Sequence, residues 1–390
     1  MLQRYTIQFW LLCLSTLLFF FSFTIIIPEL PDYITSLGGG DYKGFTIGLF
    51  TISAGLSRPI SGKLADLIGR RPVMIFGGLV CVVVSFFYPL FSSVFGFLFL
   101  RFIHGMSTGF MPTGTVAYIA DIVPSDRRGE AMGLVGVMNN VGLMSGNALS
   151  TSIVSMIGLN NLFLLSGLIS VLSISIIFWM KETLPHPQKL SFKSFHVKLS
   201  DFWDSRAKDP AIVMLLSVTV FGTIITLIPD YSVGLGIKNK GLFVSIMTVS
   251  TVLVRLFTAK FSDKYGRLIS CKIGTSLYLV ACSLLMFRQI DLFYISAIIC
   301  GLASGINTPS IFAWVVDVAK GKNVGRSVAT LFIALEAGIT IGAFSSAYIY
   351  DNVFSNFSYV FMFLSCLILL AMGYLFFGVS KTKISDENTH

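Results

Sequence analysis

The sequence predicts an all-α membrane protein: twelve transmembrane helices in two pseudo-symmetric six-helix halves. Three observations carry that prediction. First, the 390 residues are 54% hydrophobic and 12% charged, with a mean hydropathy of +0.82, whereas a soluble chain carries about a quarter charged residues. Second, apolar runs lie near 8–35, 43–62, 72–92, 94–121, 129–157, 161–180, 209–235, 241–260, 269–288, 292–317, 326–350 and 357–380, most of them reaching the roughly 20 residues that one helical crossing needs. Third, spaced polar and glycine residues recur in chain order at offsets of 196 to 198, the trace of an internal duplication. Residues 1–185 are then the first half, 186–204 a cytoplasmic linker, and 205–390 the second half with a short tail.

The elements justify themselves in order. The first run ends in Ile27-Pro28-Glu29-Leu30-Pro31-Asp32-Tyr33, and the seventh in Ile228-Pro229-Asp230-Tyr231, so Pro-Asp-Tyr repeats. Prolines at depth loosen a helix and are tolerated where protein or a wet cavity satisfies the backbone. Runs two and three are joined by Gly62 to Arg71, where Lys63, Arg70 and Arg71 surround Asp66. So short a polar segment must be a tight turn at the membrane surface. Arg58, Lys63, Asp66, Gly69 and Arg70 recur as Arg255, Lys260, Asp263, Gly266 and Arg267. In run four, Gly105, Gly109 and Asp121 recur as Gly301, Gly305 and Asp317. In run five, Gly142 and Gly146 recur as Gly338 and Gly342, while Asn140 becomes Glu336.

The polar turn resembles the signature between helices two and three of the major facilitator superfamily: Gly62, then Asp66, then Gly69 followed by Arg70 and Arg71. The same signature, weaker, follows helix eight, with Ala259 in place of the first glycine, then Asp263, Gly266 and Arg267. Arg101 and Gly105 resemble the superfamily's helix-four motif, with His104 in place of its glutamine. Gly133, Gly142 and Gly146 resemble the start of the glycine motif on helix five of proton-driven exporters. Asn147 stands where that motif has proline, and Ser150-Thr151 replace its last glycines. The resemblance covers most of the helical chain. It implies the major facilitator fold, with helices two, five, eight and eleven where the halves meet and a site near the bilayer midplane. It implies a secondary active transporter working by alternating access, most like the twelve-helix exporters that exchange protons for an outward-bound drug or metabolite. Proton-coupled uptake of a small metabolite is the alternative, and a non-transporting solute receptor stands behind both. A membrane-embedded enzyme would need a cluster of nucleophile, acid–base or metal groups, and ATP-driven transport a Walker-type glycine loop; the sequence offers neither.

Site candidates follow. The resemblance implies that Asp66 faces the positive helix end near Gly325-Arg326, and Asp263 the start of helix five. Arg70 is then expected to pair with Asp121 and Arg267 with Asp317. With Gly62, Gly69 and Gly266 in the turns, these residues form a latch on the cytoplasmic side. Gly142/Gly146 and Gly338/Gly342, each at four-residue spacing, are expected to let helices five and eleven pack closely; sliding at the contact between the halves is compatible with that. Charges in lipid are costly unless paired or hydrated. A Glu29–Arg101 pair is expected, with Asp32 as the rival partner. Arg58 and Arg255 are expected to snorkel to the inner surface, and His104 to be a packed side chain. Glu336 stands in mid-run opposite the neutral Asn140 of the other repeat. It is expected to carry a coupled proton, released by a cation such as Arg58 at comparable depth. Glu29, Asp32 and Arg101 form the second candidate for coupling.

The net charge of +9 reports orientation, not a nucleic-acid partner. With the amino terminus in the cytoplasm, the outer segments hold only Lys43, Lys238, Lys240 and Arg288 among 28 Lys and Arg, which is the positive-inside bias. Both termini are then cytoplasmic, in a bacterial plasma membrane, with the lipid bilayer, a small organic solute and protons as partners and a monomer as the expected state. Trp10, Trp179 and Trp314 read as interface anchors. No cleavable signal is expected. Neither the six cysteines, all inside predicted helices, nor the four scattered histidines have metal-ligand spacing, so no metal and no cofactor is expected.

Overall fold

The computed structural model describes residues 5–124, 127–188, 203–319 and 324–379, and of 128–130, 256–261, 263–264 and 324–325 the backbone alone. The described chain forms twelve long helices: α1 (Ile7–Ser36), α2 (Lys43–Ile68), α3 (Arg70–Phe87), α4 (Val94–Ile122), α5 (Arg128–Ile157), α6 (Leu159–Trp179), α7 (Lys208–Gly234), α8 (Leu242–Tyr265), α9 (Arg267–Leu285), α10 (Ile290–Ala319), α11 (Val324–Tyr350) and α12 (Phe357–Gly373). Most of the predicted linker 186–204 lies outside the described residues. The face that carries Tyr5 and the two polar turns is called inner, the opposite face outer.

Among the described residues, nine helices are long and apolar enough to cross a membrane; α2 and α5 are not among them, and α8 is apolar over its described stretch Leu242–Arg255. The physical reason is their position. α2 packs on α11 and α5 on α8, and these are the broad contacts between the halves. A helix that faces a partner and a cavity carries polar residues that a lipid-facing helix cannot. Lipid-facing positions take Phe95, Trp179 and Phe377, all strongly exposed, while Trp314, expected as an anchor, is buried in the core of the second half. Interior hydroxyls bond back to carbonyls three or four residues earlier on their own helices, as Thr51, Ser57 and Thr248 do.

Two local breaks matter for function. In α1, Pro28 and Pro31 lack N–H groups, and the helix tightens into a 3-10 turn at Ile27–Glu29 before resuming. That turn sets the direction of Glu29. At the inner face, Gly69 and Gly266 adopt φ of +120° and +94°, a region that other residues rarely adopt. Each lets the chain reverse between two long helices without a loop, which is why both repeats hold glycine there.

Within each half the paired glycines seat one helix on another. A Cβ at Gly142 or Gly146 would collide with α1 backbone at Leu17 and Phe21; one at Gly338 or Gly342 would collide with α7 at Leu215 and Thr219. These four glycines therefore pack α5 on α1 and α11 on α7 inside each half, and not across the contact between halves.

Candidate functional site

The inner polar turns build within their own halves. Arg70 Nε donates to Asp121 Oδ2 at 3.0 Å, and its Nη1 donates to Asp66 Oδ1 at 3.0 Å. Arg267 Nε donates to Asp317 Oδ2 at 3.0 Å in the matching position. Glu182 accepts from the backbone N–H groups of Arg70 and Arg71, at 3.1 and 2.9 Å, meeting the positive end of α3. The Asp66 side chain is 75% exposed and bonded to Arg70, so its expected contact with the start of α11 is not made in this conformation. The Asp263 side chain lies outside the described residues. A Cβ added at Gly62 would meet, among the described residues outside its own helix, Thr113 alone, at 4.0 Å.

The outer end is built across the halves. Lys43 Nζ, at the start of α2, lies 2.6 Å from Asp230 Oδ2 on α7. Lys240 Nζ, just before α8, lies 2.6 Å from Glu29 Oε2 and 2.6 Å from Asp32 Oδ2 on α1. Thr151 Oγ1 donates to the other oxygen of Glu29 at 3.0 Å. Below these pairs, Thr51 and Thr340 share a 2.7 Å hydrogen bond across the halves. Gly44 and Gly48 bring α2 against Ala343 and Phe344 of α11, and Gly241 lies against the Asn147 carbonyl. The expected Glu29–Arg101 pair does not form. The 3-10 turn at Ile27–Glu29 carries Glu29 toward the second half. Arg101, buried, donates instead to the Thr46 carbonyl at 2.7 Å and the Tyr88 hydroxyl at 3.3 Å, with its guanidinium over the Phe50 ring. His104 is fully buried between Tyr88 and Cys81, at 2.9 and 3.2 Å. Lys43 and Lys240 were legible only through the repeat: they match at an offset of 197, while Asp32 and Asp230 match at 198.

Between these ends lies a cavity of about 590 Å³. Its lining runs from Ile47 and Thr51, beneath the outer closure, to Gly62, Val116 and Val328, near the inner helix ends. Its lining is largely apolar, with Phe20, Phe23, Phe50, Phe221 and Phe332 among aliphatic residues, and Asn139, Asn147 and Arg101 add polar groups. Two facing charges sit in its wall. Arg58 does not snorkel to the inner surface: its Nε and Nη2 both donate to Glu336 Oε1, at 3.1 and 2.7 Å, while its guanidinium covers the Phe332 ring. The Glu336 side chain is 8% exposed. The pair joins two helices from different halves in the wall of the cavity.

The sequence pattern of the Major Facilitator Superfamily matches residues 12–287 and 239–389. The chain is 28% identical to a "Multi-drug resistance efflux pump PmrA homolog" of Lactococcus lactis, over 82% of each protein. It is 24% identical to the "Staphylopine export protein" of Staphylococcus aureus, over 93% of this chain and 94% of that one. Among solved structures, the human organic anion transporter MFSD10 aligns with a TM-score of 0.72 at 19% identity, over 94% of this chain and 98% of that one. The nucleoside transporter NupG aligns with a TM-score of 0.74 at 14% identity, over 95% and 99%.

Proposed function

The chain belongs to the Major Facilitator Superfamily, and from that premise we propose that it exports a small organic solute in exchange for protons. It is an integral membrane transporter, not an enzyme. The observation that carries the export reading is the cavity that reaches the inner helix ends while the outer end is closed across the halves. With the inner face as the cytoplasmic one, as the charge bias has it, this conformation loads solute from the cell. Relatives named as efflux pumps and as an export protein support the direction. The largely apolar lining fits an apolar body, with few polar groups to orient it.

Glu336 is the proposed proton carrier. In the loaded, inward-facing state Arg58 holds it as a carboxylate. Rocking of the halves moves α2 along α11 and separates the two charges. A lone carboxylate in that wall then takes a proton from the outside, and re-forming the pair releases it inside. The test is flux in proteoliposomes with an imposed pH gradient, using ethidium, a neutral dye and an anionic dye. Glu336→Gln is expected to keep downhill exchange and lose uphill, gradient-driven accumulation. If the Gln variant still concentrates a dye against its gradient, Glu336 is not the coupling site, and Glu29 with Asp32 takes its place. If the wild type moves none of the dyes outward under any gradient, the export reading falls.

A further inference from the structure

The duplication repeats the arginine of the α2–α11 pair but not the acid that it faces. Arg58 on α2 and Arg255 on α8 are repeat partners, as are Glu336 on α11 and Asn140 on α5. The helix pairs are matched too: α2 packs on α11, and α8 on α5. In the first pairing, two guanidinium nitrogens converge on one carboxylate oxygen. In the second, the acid is replaced by an amide that has turned away: Asn140 Nδ2 donates to the Gly136 carbonyl of its own helix at 2.7 Å. Arg255 Nε is buried and has no hydrogen-bond partner among the described residues. Nor does any carboxylate among those residues lie within ion-pair distance of it.

Arg255 is not part of the cavity wall, but lies inward of it on the cavity-facing side of α8. Val244 of α8 lines the cavity. Eleven residues on, at 3.6 residues per turn, Arg255 falls on the same face about three turns nearer the inner surface. On α5, Asn139 lines the same cavity, and its Oδ1 is buried without a hydrogen-bond partner among the described residues. Arg255 is only partly buried, so its buried, unpartnered Nε is combined with terminal nitrogens open to the inner side, and its planar fork matches a carboxylate or another oxyanion.

We infer that Arg255 binds the anionic group of the transported solute, which supplies the carboxylate that the second half lacks. The inference rests on the transport reading. The solute class is an aromatic or other apolar body bearing a carboxylate: the phenylalanines of the cavity take the body, and Arg255 takes the head. Solute binding then bridges α8 and the first half much as Glu336 bridges α11 and α2, so that loading completes the symmetry of the contact between halves.

Three probes with one ring system separate the terms: pyrenebutyrate, pyrenebutanol and pyrenebutylamine. Their binding is measured on the whole protein in zwitterionic-lipid nanodiscs. The wild type is expected to prefer the carboxylate over the alcohol by about tenfold to a hundredfold, the range for hydrogen bonds to charged groups. Arg255→Gln should erase that preference and leave the alcohol bound as before, and Arg255→Lys should keep part of it. Asn140→Glu, which gives Arg255 an internal partner, should also erase it in a protein of unimpaired stability. A carboxylate preference that survives both Arg255→Gln and Asn140→Glu overturns the inference. So does a wild type that binds the three probes alike. Flux in proteoliposomes separates this from the transport reading: selective binding with no flux of any probe sinks transport and leaves the site, whereas flux with no selection among heads sinks the site and leaves transport.

Discussion

The two ends of the same helices are tied in opposite ways. At the outer end, repeat partners exchange: Lys43 of the first half holds Asp230 of the second, and Lys240 of the second holds Asp32 of the first. This is the logic of an isologous dimer, in which residue i meets j and j meets i. At the inner end, repeat partners stay at home: Arg70 holds Asp121, and Arg267 holds Asp317, each within its own half. Glycine packing follows the same division. Gly44 and Gly48 press α2 against α11 near the outer face, while Gly133 and Gly136, toward the inner end of α5, meet nothing within 4 Å among the described residues. One duplication has thus produced two kinds of bond. In the proposed alternating-access cycle, bonds inside a half travel with it as the halves rock. Bonds across the halves must break for the outer side to open, so they set the balance between the two states.

The largest way to break this comparison is to remove both outer lysines. Lys43 and Asp230 side chains are 9% and 8% exposed, and Glu29 is 5% exposed. Taking one partner from a buried pair costs about 3–5 kcal/mol, because the other charge stays buried and alone. A shift of about 5.5 kcal/mol turns a 1:99 population into 99:1. The double variant Lys43→Ala, Lys240→Ala is therefore expected to open the outer side. Spin labels at Ser36→Cys and Asp351→Cys should then report a longer distance than in the otherwise wild-type protein. Unchanged distances would show that the glycine packing alone closes the outer end. The exchange variant Lys43→Asp with Asp230→Lys sharpens the same point. Each single change should impair flux, and the two together should restore it, since contact pairs couple by about 0.5–3 kcal/mol.

A smaller effect is expected at the inner end. Asp66 is exposed and bonded within its own half, so Asp66→Asn should leave solute affinity in this conformation nearly intact. It should slow transport severalfold, because a charge–dipole contact of about 0.3–1 kcal/mol would be lost in the state where the inner side closes. A large loss of affinity with unchanged accessibility of the inner side would sink the latch.

How much of this was legible in the sequence depends on which coordinate is asked for. Depth along a helix is nearly free information, since 1.5 Å per residue and a 20-residue crossing fix it. Hence the twelve helices were readable, and so was a meeting of Arg58 with Glu336 at comparable depth. Rotation about a helix was not. Glu29 and Arg101 lie at similar depth, but the proline-driven 3-10 turn at Ile27–Glu29 sends Glu29 to Lys240. Lys43 and Lys240 counted in the sequence only as outer-loop charges, because nothing local marks a loop lysine as buried. Their matched offset to Asp32 and Asp230 held the information, but only for a reader asking which charges of one repeat face those of the other.

The smallest effect concerns a bond by which the last residue of the linker is held to the second half alone. Asp204 stands just before α7 at the inner face. Arg206 Nε and Nη2 donate to its two oxygens at 3.0 and 2.8 Å, and Ser327 Oγ of α11 donates at 2.6 Å. Its own N–H donates to Thr330 Oγ1 at 2.8 Å. The bonds from Arg206, helped by Ser327, hold this carboxyl well below the usual carboxylate range. The sign follows from linkage: a group whose pKa is depressed by folding adds stability above its unfolded value, near 4, and loses it as the pH falls toward the folded one. The gap in thermal midpoint between wild type and Asp204→Asn should therefore be constant from pH 7 to about 5 and shrink below about 4. Made to one half alone, this bond should tune stability without shifting the balance between states. Outer-face spin-label distances in Asp204→Asn should match those of wild type at pH 7. A change in those distances would mean that inner bonds also set the balance, and the division between the two ends would fail.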